Sequence, residues 1–150
     1  MAPPPADADL RYLVAWDDQP FVAVTRVSGL RRTVDVLEHR DGAAPRLASK
    51  LPGNVVFHPA TIERGLTDDG LFRRMADLAA ESGPGTDVRR SIVVDVHQRD
   101  GTALLRCTLF QAWVSSYEPL AEVDQPGGPD VVERIVVEYD AWRIEPLGQT

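Results

Sequence analysis

Cysteine is almost absent from this sequence, and long apolar runs are missing altogether. The single cysteine among 150 residues, Cys107, excludes an intramolecular disulfide and a disulfide-stapled secreted fold. No apolar run approaches the roughly 18 to 20 residues that are needed to cross a bilayer. The first ten residues have neither the basic nor the apolar region of a secretory signal. We therefore expect a soluble protein that is assembled in the cytoplasm.

Lysine is nearly missing as well, because Lys50 is the only one. Acidic residues outnumber arginine and lysine, and the formal net charge is −7. This sign argues against specific nucleic-acid binding, which needs Lys and Arg against phosphate. With 43% hydrophobic and 26% charged residues, the composition is that of one globular domain. We place this domain at residues 10–145, between a disordered lead-in at 1–9 and a tail at 146–150.

Groups that usually carry catalysis are scarce and scattered. The three histidines lie too far apart for metal-ligand spacing: His39, His58 and His97. Cys107 alternates with Leu105 and Leu109, which is typical of a buried strand residue. The sequence contains neither a phosphate-binding glycine loop nor a nucleophile elbow. We therefore predict no enzyme activity, no cofactor and no catalytic, cofactor-binding or metal-binding residue.

One helix is predicted at about residues 68–82. Its apolar stripe recurs at helical spacing in Leu71, Phe72, Met75, Leu78 and Ala79. Thr67 or Asp68 can cap its start, and Asp68 and Asp69 would lie favourably in its first turn. Gly83 follows the last helical residue and ends the helix.

The rest of the chain reads as short strands separated by turn signals. Alternation is clearest from Leu10 to Trp16, and Asp100-Gly101 marks a hairpin. The predicted strand segments are a first hairpin at 10–27, a strand at 32–38, strands on both sides of Pro59, a hairpin around 99–102 and a long strand at 131–144. Polar loops are predicted at 40–53, with a turn at Pro52-Gly53, and at 119–130. About eight strands and one helix indicate a mainly β fold, an antiparallel barrel or sandwich.

The final predicted strand carries apolar residues on both of its faces. Val132 and Val136 lie on one face, and Ile135 and Val137 on the other. A strand of this kind is usually covered on both sides. In a domain this small, another subunit is a natural second cover.

Seven short segments occur in the order that is typical of one family. They are Val27 to Leu30, Lys50 to Gly53, Arg64 to Thr67, the helix with Phe72, Gln98 to Gly101, Gln111 to Trp113, and Glu133 to Glu138. Together they resemble the tail tube proteins of contractile phage tails and of related phage-like injection particles. The resemblance covers about residues 10 to 144, and Gln111 stands where this family usually has asparagine.

The resemblance implies a small antiparallel β-barrel with one helix, six copies of which form a ring around a lumen. Rings stack into an inner tube, which a contractile sheath drives through a target envelope. The implied partners are other copies of this chain, the sheath protein, baseplate or hub proteins, tube-terminating proteins and a luminal protein cargo. The particle would be assembled in the cytoplasm and could be released from the cell.

Three groups of residues are predicted to lie at contacts between subunits. An extension towards the next ring would hold Arg31, Arg32, Glu38, His39, Arg40 and Asp41. Ion pairs between subunits near Gly65 would involve Glu63 and Arg64. A strand that faces the lumen or a neighbour would hold Glu133, Arg134, Val136 and Glu138. A solvated charge on a barrel surface explains each charged member equally well.

Three other interpretations stay open. A tube-initiating or baseplate-proximal paralog would carry the same motifs. A monomeric or dimeric β-barrel could bind a small ligand. A barrel hydrolase or flavin enzyme could have an active site that a single sequence does not reveal. Rings, hexamers or tubes of the purified protein would favour the structural role over the last two.

Overall fold

A computed structural model describes residues 10–40, 42 and 48–148 of the protein. The bounds of the strands and of the helix in these ranges are β1 Leu10–Trp16, β2 Gln19–Phe21, β3 Val24–Ser28, β4 Arg31–Arg40, β5 Ala48–His58, β6 Ala60–Arg64, α1 Leu71–Glu81, β7 Arg90–Gln98, β8 Ala103–Gln125, β9 Gly128–Glu138 and β10 Ala141–Pro146. Neighbouring strands are antiparallel. The mainly β fold with one helix is thereby confirmed. The lead-in at 1–9 and the end of the tail lie outside the described residues.

The long strand β8 connects two sheets. Its first part pairs with β7 on one side and with β10 on the other, whereas from Trp113 onwards it pairs with β9. We name the sheet in the order β2-β1-β7-β8-β10 sheet A, and the sheet in the order β8-β9-β6-β3 sheet B. Gln111 lies where β8 passes from one sheet to the other, and its φ of 57° is the left-handed conformation that such a bend requires.

The core lies between the two sheets and α1. Its fully buried side chains come from every layer and include Ile62, Phe72, Ile92, Leu109 and Ile135. Strand alternation directs the strand residues among them inwards, as it does Val14 in β1, whereas Phe72 lies on the buried face of α1. Cys107 is also buried here, which agrees with its interpretation as a core residue, and burial raises the pKa of its thiol to about 11.

The predicted hairpin at 10–27 is correct only in its first half. Asp17 and Asp18, with φ of 47° and 71°, form the tight turn between β1 and β2. Ala23 then adopts a φ of 62° and interrupts the expected second strand. The interruption allows β2 to stay in sheet A while β3 joins sheet B.

The predicted polar loop at 40–53 is wrong for Arg40, which belongs to β4, and for residues 48–53, which belong to β5. Pro52-Gly53 lies at an irregularity in the β4–β5 pairing and makes no turn. A Cβ on Gly53 would lie 3.0 Å from Cγ of Leu37 and 3.1 Å from the carbonyl oxygen of Asp35. Glycine is needed because β4 passes so close.

The predicted loop at 119–130 and the single last strand are also wrong. Residues 119–125 belong to β8, Pro126-Gly127 makes a two-residue turn, and β9 begins at Gly128. Pro119 and Leu120 lie opposite the single residue Glu133, so that one extra residue interrupts the pairing without ending the strand. The expected strand at 131–144 is divided after Glu138, because β9 belongs to sheet B and β10 to sheet A.

The helix is confirmed, but its start is three residues later than expected. It begins at Leu71 with Gly70 as N-cap, and no acidic residue lies in its first turn. Asp69 accepts a hydrogen bond from the Leu71 amide at 3.0 Å but lies outside the helix. Phe72, Met75 and Ala76 are its buried residues. Eleven residues are too few to cross a bilayer, and the described chain contains no helix that could do so.

Candidate subunit interfaces

A two-stranded ribbon made of β4 and β5, which we call the extension, leaves the body of the molecule. Every residue of β4 is exposed. The extension carries six exposed large apolar side chains, namely Val34, Val36, Leu37, Leu51, Val55 and Val56. A two-stranded ribbon with so little burial is marginal by itself in water. This composition is typical of a surface that another molecule covers.

The extension is attached to sheet B through two short joints. Gly29 connects β3 to the extension with a φ of 83°, and Pro59 connects it back to β6. A Cβ on Gly29 would lie only 2.8 Å from the carbonyl oxygen of Pro59. The Ser28-Gly29 step therefore serves a close crossing of two chain segments.

Aromatic residues fix the root of the extension. Phe57 of β5 packs edge-on against Trp142, with ring centroids 5.1 Å apart, and lies 6.1 Å from Tyr139. The Tyr139 hydroxyl donates a hydrogen bond to the carbonyl oxygen of His58. The His58 ring contacts Thr33 at 3.0 Å through Nε2. The root is thus anchored, while the rest of the ribbon projects.

A ladder of charges crosses one face of sheet B. Arg134 of β9 donates from Nε to Glu63 Oε2 of β6 at 2.7 Å, and its Nη1 lies 3.4 Å from Glu118 Oε1 of β8. These three residues are direct cross-strand neighbours. Val136 and Glu138 follow on the same face by strand alternation, and both are half-buried.

The opposite face of sheet B buries an arginine. Arg64 has no exposed surface, and its Nε donates to Glu133 Oε1 at 2.7 Å. Its two terminal nitrogens donate to the two carboxylate oxygens of Asp69 at 2.6 and 3.0 Å. The guanidinium also lies 4.3 Å from the ring centroid of Phe72 in α1. Tyr117 donates to the other Glu133 oxygen at 2.7 Å.

These contacts change the proton affinities of the network. The hydrogen bond from Arg64 lowers the pKa of Asp69 to about 2. Burial and the bond to Glu133 raise the pKa of Tyr117 to about 12. At neutral pH Asp69 is therefore a carboxylate and Tyr117 a neutral phenol. Each charged side chain of the network has a partner, and the network ties α1 to sheet B. A buried charge requires such pairing.

The residues predicted at interfaces thus fall into two environments. Five of them lie exposed on β4: Arg31, Arg32, Glu38, His39 and Arg40. Asp41 lies outside the described residues. The structure brings Glu63 together with Arg134, and Arg64 with Glu133, but each pair forms within one chain. The sequence did not reveal Asp69, Tyr117 or Glu118 as their partners.

In the part of the chain that the structure describes, His, Cys, Asp and Glu form no group of three that could hold a metal ion. The features left to explain are the extension and the faces and edges of sheet B.

Comparison with known proteins identifies the chain. A family model described as T4-like virus tail tube protein gp19 matches residues 8–143. The chain belongs to this tail tube protein family. The sequence-based prediction of a tail tube protein is confirmed. A search of curated proteins finds no match.

Solved structures share the fold of this tail tube protein at low sequence identity. A chain of the PVC sheath–tube complex, an extracellular contractile injection system in its extended state, is 20% identical, with a TM-score of 0.72; the match covers 96% of this chain and 93% of that one. A chain of the six-fold symmetrised baseplate of the anti-feeding prophage is 19% identical, with a TM-score of 0.74 and 97% coverage of both chains. A chain of the PVC sheath/tube terminator structure is 22% identical, with a TM-score of 0.71 and coverage of 97% and 98%.

Proposed function

We propose that this tail tube protein is the inner tube subunit of a contractile phage tail-like injection system. Six copies form a ring around a lumen, and rings stack into a tube. The particle assembles in the cytoplasm and acts outside the cell, with sheath, baseplate and terminator proteins as partners and a protein cargo in the lumen. Support for six copies and for these partners comes from the descriptions of the similar structures.

The observation that carries the proposal is the pair of unpaired edges on sheet B. At one edge, the described part of β3 pairs with β6 alone. At the other edge, β9 is the one partner of β8 beyond Trp113 among the residues that the structure describes. Open edges invite uncontrolled strand addition, and closing a sheet into a barrel removes them. In a ring, the β3 edge of one copy meets the β8 edge of the next.

The charged face of sheet B fits the same arrangement. In its ladder one arginine, Arg134, pairs with two glutamates, Glu63 and Glu118, while Glu138 and Val136 lie beside them. We assign this face to the side on which a neighbouring copy packs, so that Val136 is covered once the ring closes. Arg64 and Glu133 serve the ring indirectly, by fixing α1 against the sheet that forms its wall. A head-to-tail contact of this kind gives a closed ring when the rotations from copy to copy add up to a full turn.

The extension supplies the contact along the tube axis. It presents Arg31, Arg32, Glu38, His39 and Arg40 on an exposed ribbon. Polar and charged groups set register and orientation at such a contact. We assign these residues to ring stacking.

The decisive experiment is to measure the mass and the shape of the purified protein. Sedimentation should give six-copy rings, and negative-stain electron microscopy should show rings and tubes. Val136→Asp should abolish rings and leave a soluble monomer, because a carboxylate would be buried at closure. Val93→Asp is the matched control, since Val93 is a half-buried valine in β7 of sheet A. A strict monomer at high concentration, or rings formed unchanged by Val136→Asp, would contradict the proposal.

A tube-initiating or baseplate-proximal paralog is the second candidate. It is favoured by the baseplate structure of the anti-feeding prophage, which matches this chain as well as the PVC tube complex does. The same experiment distinguishes the two roles. A main tube subunit stacks on copies of itself into tubes of many rings, whereas an initiating ring stays single.

A further inference from the structure

Opposite ends of sheet B carry opposite charge. Strand β6 starts at Ala60 opposite Val137 and ends at Arg64 opposite Glu133. The extension leaves from the first of these ends, through Pro59. At the second end, β8 and β9 continue beyond β6 as a hairpin over residues 119–131, which we call the arm. From Val137 to Asp130 the strand β9 covers about 24 Å, so the two projections are well separated.

The extension is basic and the arm is acidic. Strands β4 and β5 together contain four basic side chains and two acidic ones, Asp35 and Glu38, which gives a formal charge of +2. The chain as a whole is −7, so that all other residues sum to −9. The arm contains Glu122, Asp124 and Asp130 and neither lysine nor arginine, for a formal charge of −3.

Exposed apolar side chains lie at the same end of sheet B as the arm. Leu120, at 73% exposure, is the most exposed of these and belongs to the arm itself. The backbone bond from Gly65 N to Ala23 O, 3.0 Å long, holds the links after β6 and β2 side by side. We call the four exposed large apolar residues of this end the rim: Val22, Leu66, Leu120 and Val131. Two of them, Leu120 and Val131, also belong to the arm. The rim complements the exposed apolar residues of the extension, as the arm complements its charge.

We propose that the arm and the rim of one copy receive the extension of a copy in the next ring. The inference rests on the proposed function, because it names the surface that the stacking contact meets. A basic apolar ribbon at one end and an acidic apolar seat at the other make a heterologous contact that repeats without closing, which is the requirement for a filament. Oppositely charged surfaces also set polarity, since two extensions or two arms repel each other.

Charge reversal tests the pairing. The extension variant is Arg32→Glu with Lys50→Glu, and the arm variant is Glu122→Lys with Asp124→Lys. Each variant alone should form rings but at least ten-fold less sedimentable tube, and the combination of all four changes should restore tubes. Arg11→Glu with Arg74→Glu is the control for the extension variant, because it makes the same charge change at exposed sites on β1 and α1.

The outcomes separate this inference from the proposed function. Tubes that form unchanged after arm reversal, or a four-residue combination that stays as rings, would overturn the pairing while leaving the ring intact. Wild-type protein without rings would overturn the proposed function together with the pairing. Between 0.1 and 0.5 M salt, wild-type tubes should shorten while rings persist, because exposed charges are screened over a Debye length of about 10 Å at 0.1 M.

Discussion

Arg64 and Glu133 face each other across β6 and β9, with Nε and Oε1 2.7 Å apart in the interior of the molecule. Only 10% of the Glu133 side chain and none of the Arg64 side chain is exposed. An ion pair so deeply buried persists because every charged atom has a partner. Arg64 reaches Asp69 as well, and Glu133 accepts from Tyr117. The pair thus couples the wall of sheet B to the segment that leads into α1.

Removing the arginine should be strongly destabilising. Arg64→Leu leaves Glu133 and Asp69 without their cation, and we expect a loss of about 3 to 5 kcal/mol in the free energy of unfolding. Arg74→Leu, at an exposed position of α1, should change it by no more than about 0.5 kcal/mol. Urea unfolding at one fixed protein concentration measures both. Equal stability of the two variants would show that the network contributes nothing.

The low pKa of Asp69 predicts a pH-dependent contribution to stability. Its pKa of about 2 in the folded protein lies below the unfolded value of about 4, so the stabilisation is complete above pH 4 and is lost as the pH falls towards 2. Asp69→Asn should be less stable by about 2 kcal/mol at pH 7. The gap to the wild type should close between pH 4 and 2 in thermal denaturation. Asp68→Asn, at the exposed neighbouring position, is the control and should show no such gap in stability. A gap for Asp69→Asn that persists at pH 2 would refute the explanation.

The sequence predicted those elements whose signal is local. The stripe at Phe72 and Met75 indicated α1, and Asp100-Gly101 indicated the hairpin between β7 and β8. Periodicity and turn chemistry act over a few residues, so they are visible in one sequence. The motif order from Val27 to Glu138 added the family, which no single motif could have shown.

Burial of charge and the path of the sheets could not be predicted. Glu133 lies 69 residues from Arg64, and their contact depends on the pairing of β6 with β9. The extension was assigned in part to a loop because its residues face solvent on both sides, and alternation is informative only when one face is buried. The bend at Gln111 was missed because glutamine is no turn signal.

The bend at Gln111 should be improvable. Its φ of 57° is unfavourable for glutamine, while asparagine and glycine adopt this region more readily. Gln111→Asn should therefore stabilise the protein by about 0.5 to 1 kcal/mol. Gln98→Asn is the control, since Gln98 lies in β7 without a positive φ and should gain nothing. Thermal unfolding compares them, and a destabilised Gln111→Asn would mean that contacts of the glutamine side chain outweigh the backbone cost.

The joint at Gly29 should couple local strain to assembly. In Gly29→Ala the new Cβ would meet the Pro59 carbonyl oxygen at 2.8 Å, in a backbone conformation with φ of 83° that alanine disfavours. We expect a loss of about 1 to 3 kcal/mol. Relief of this contact requires β4 to move relative to β6, so the extension leaves sheet B in a changed direction and tubes should shorten even where the protein stays folded.

Gly42→Ala is the matched control, because a Cβ there meets nothing within 4 Å. Unfolding experiments and tube lengths measured by electron microscopy test both effects. Tubes of wild-type length for Gly29→Ala would show that the conformation of this joint does not affect ring stacking. The extension would then have to reach its contact on the next ring in whichever direction it leaves sheet B.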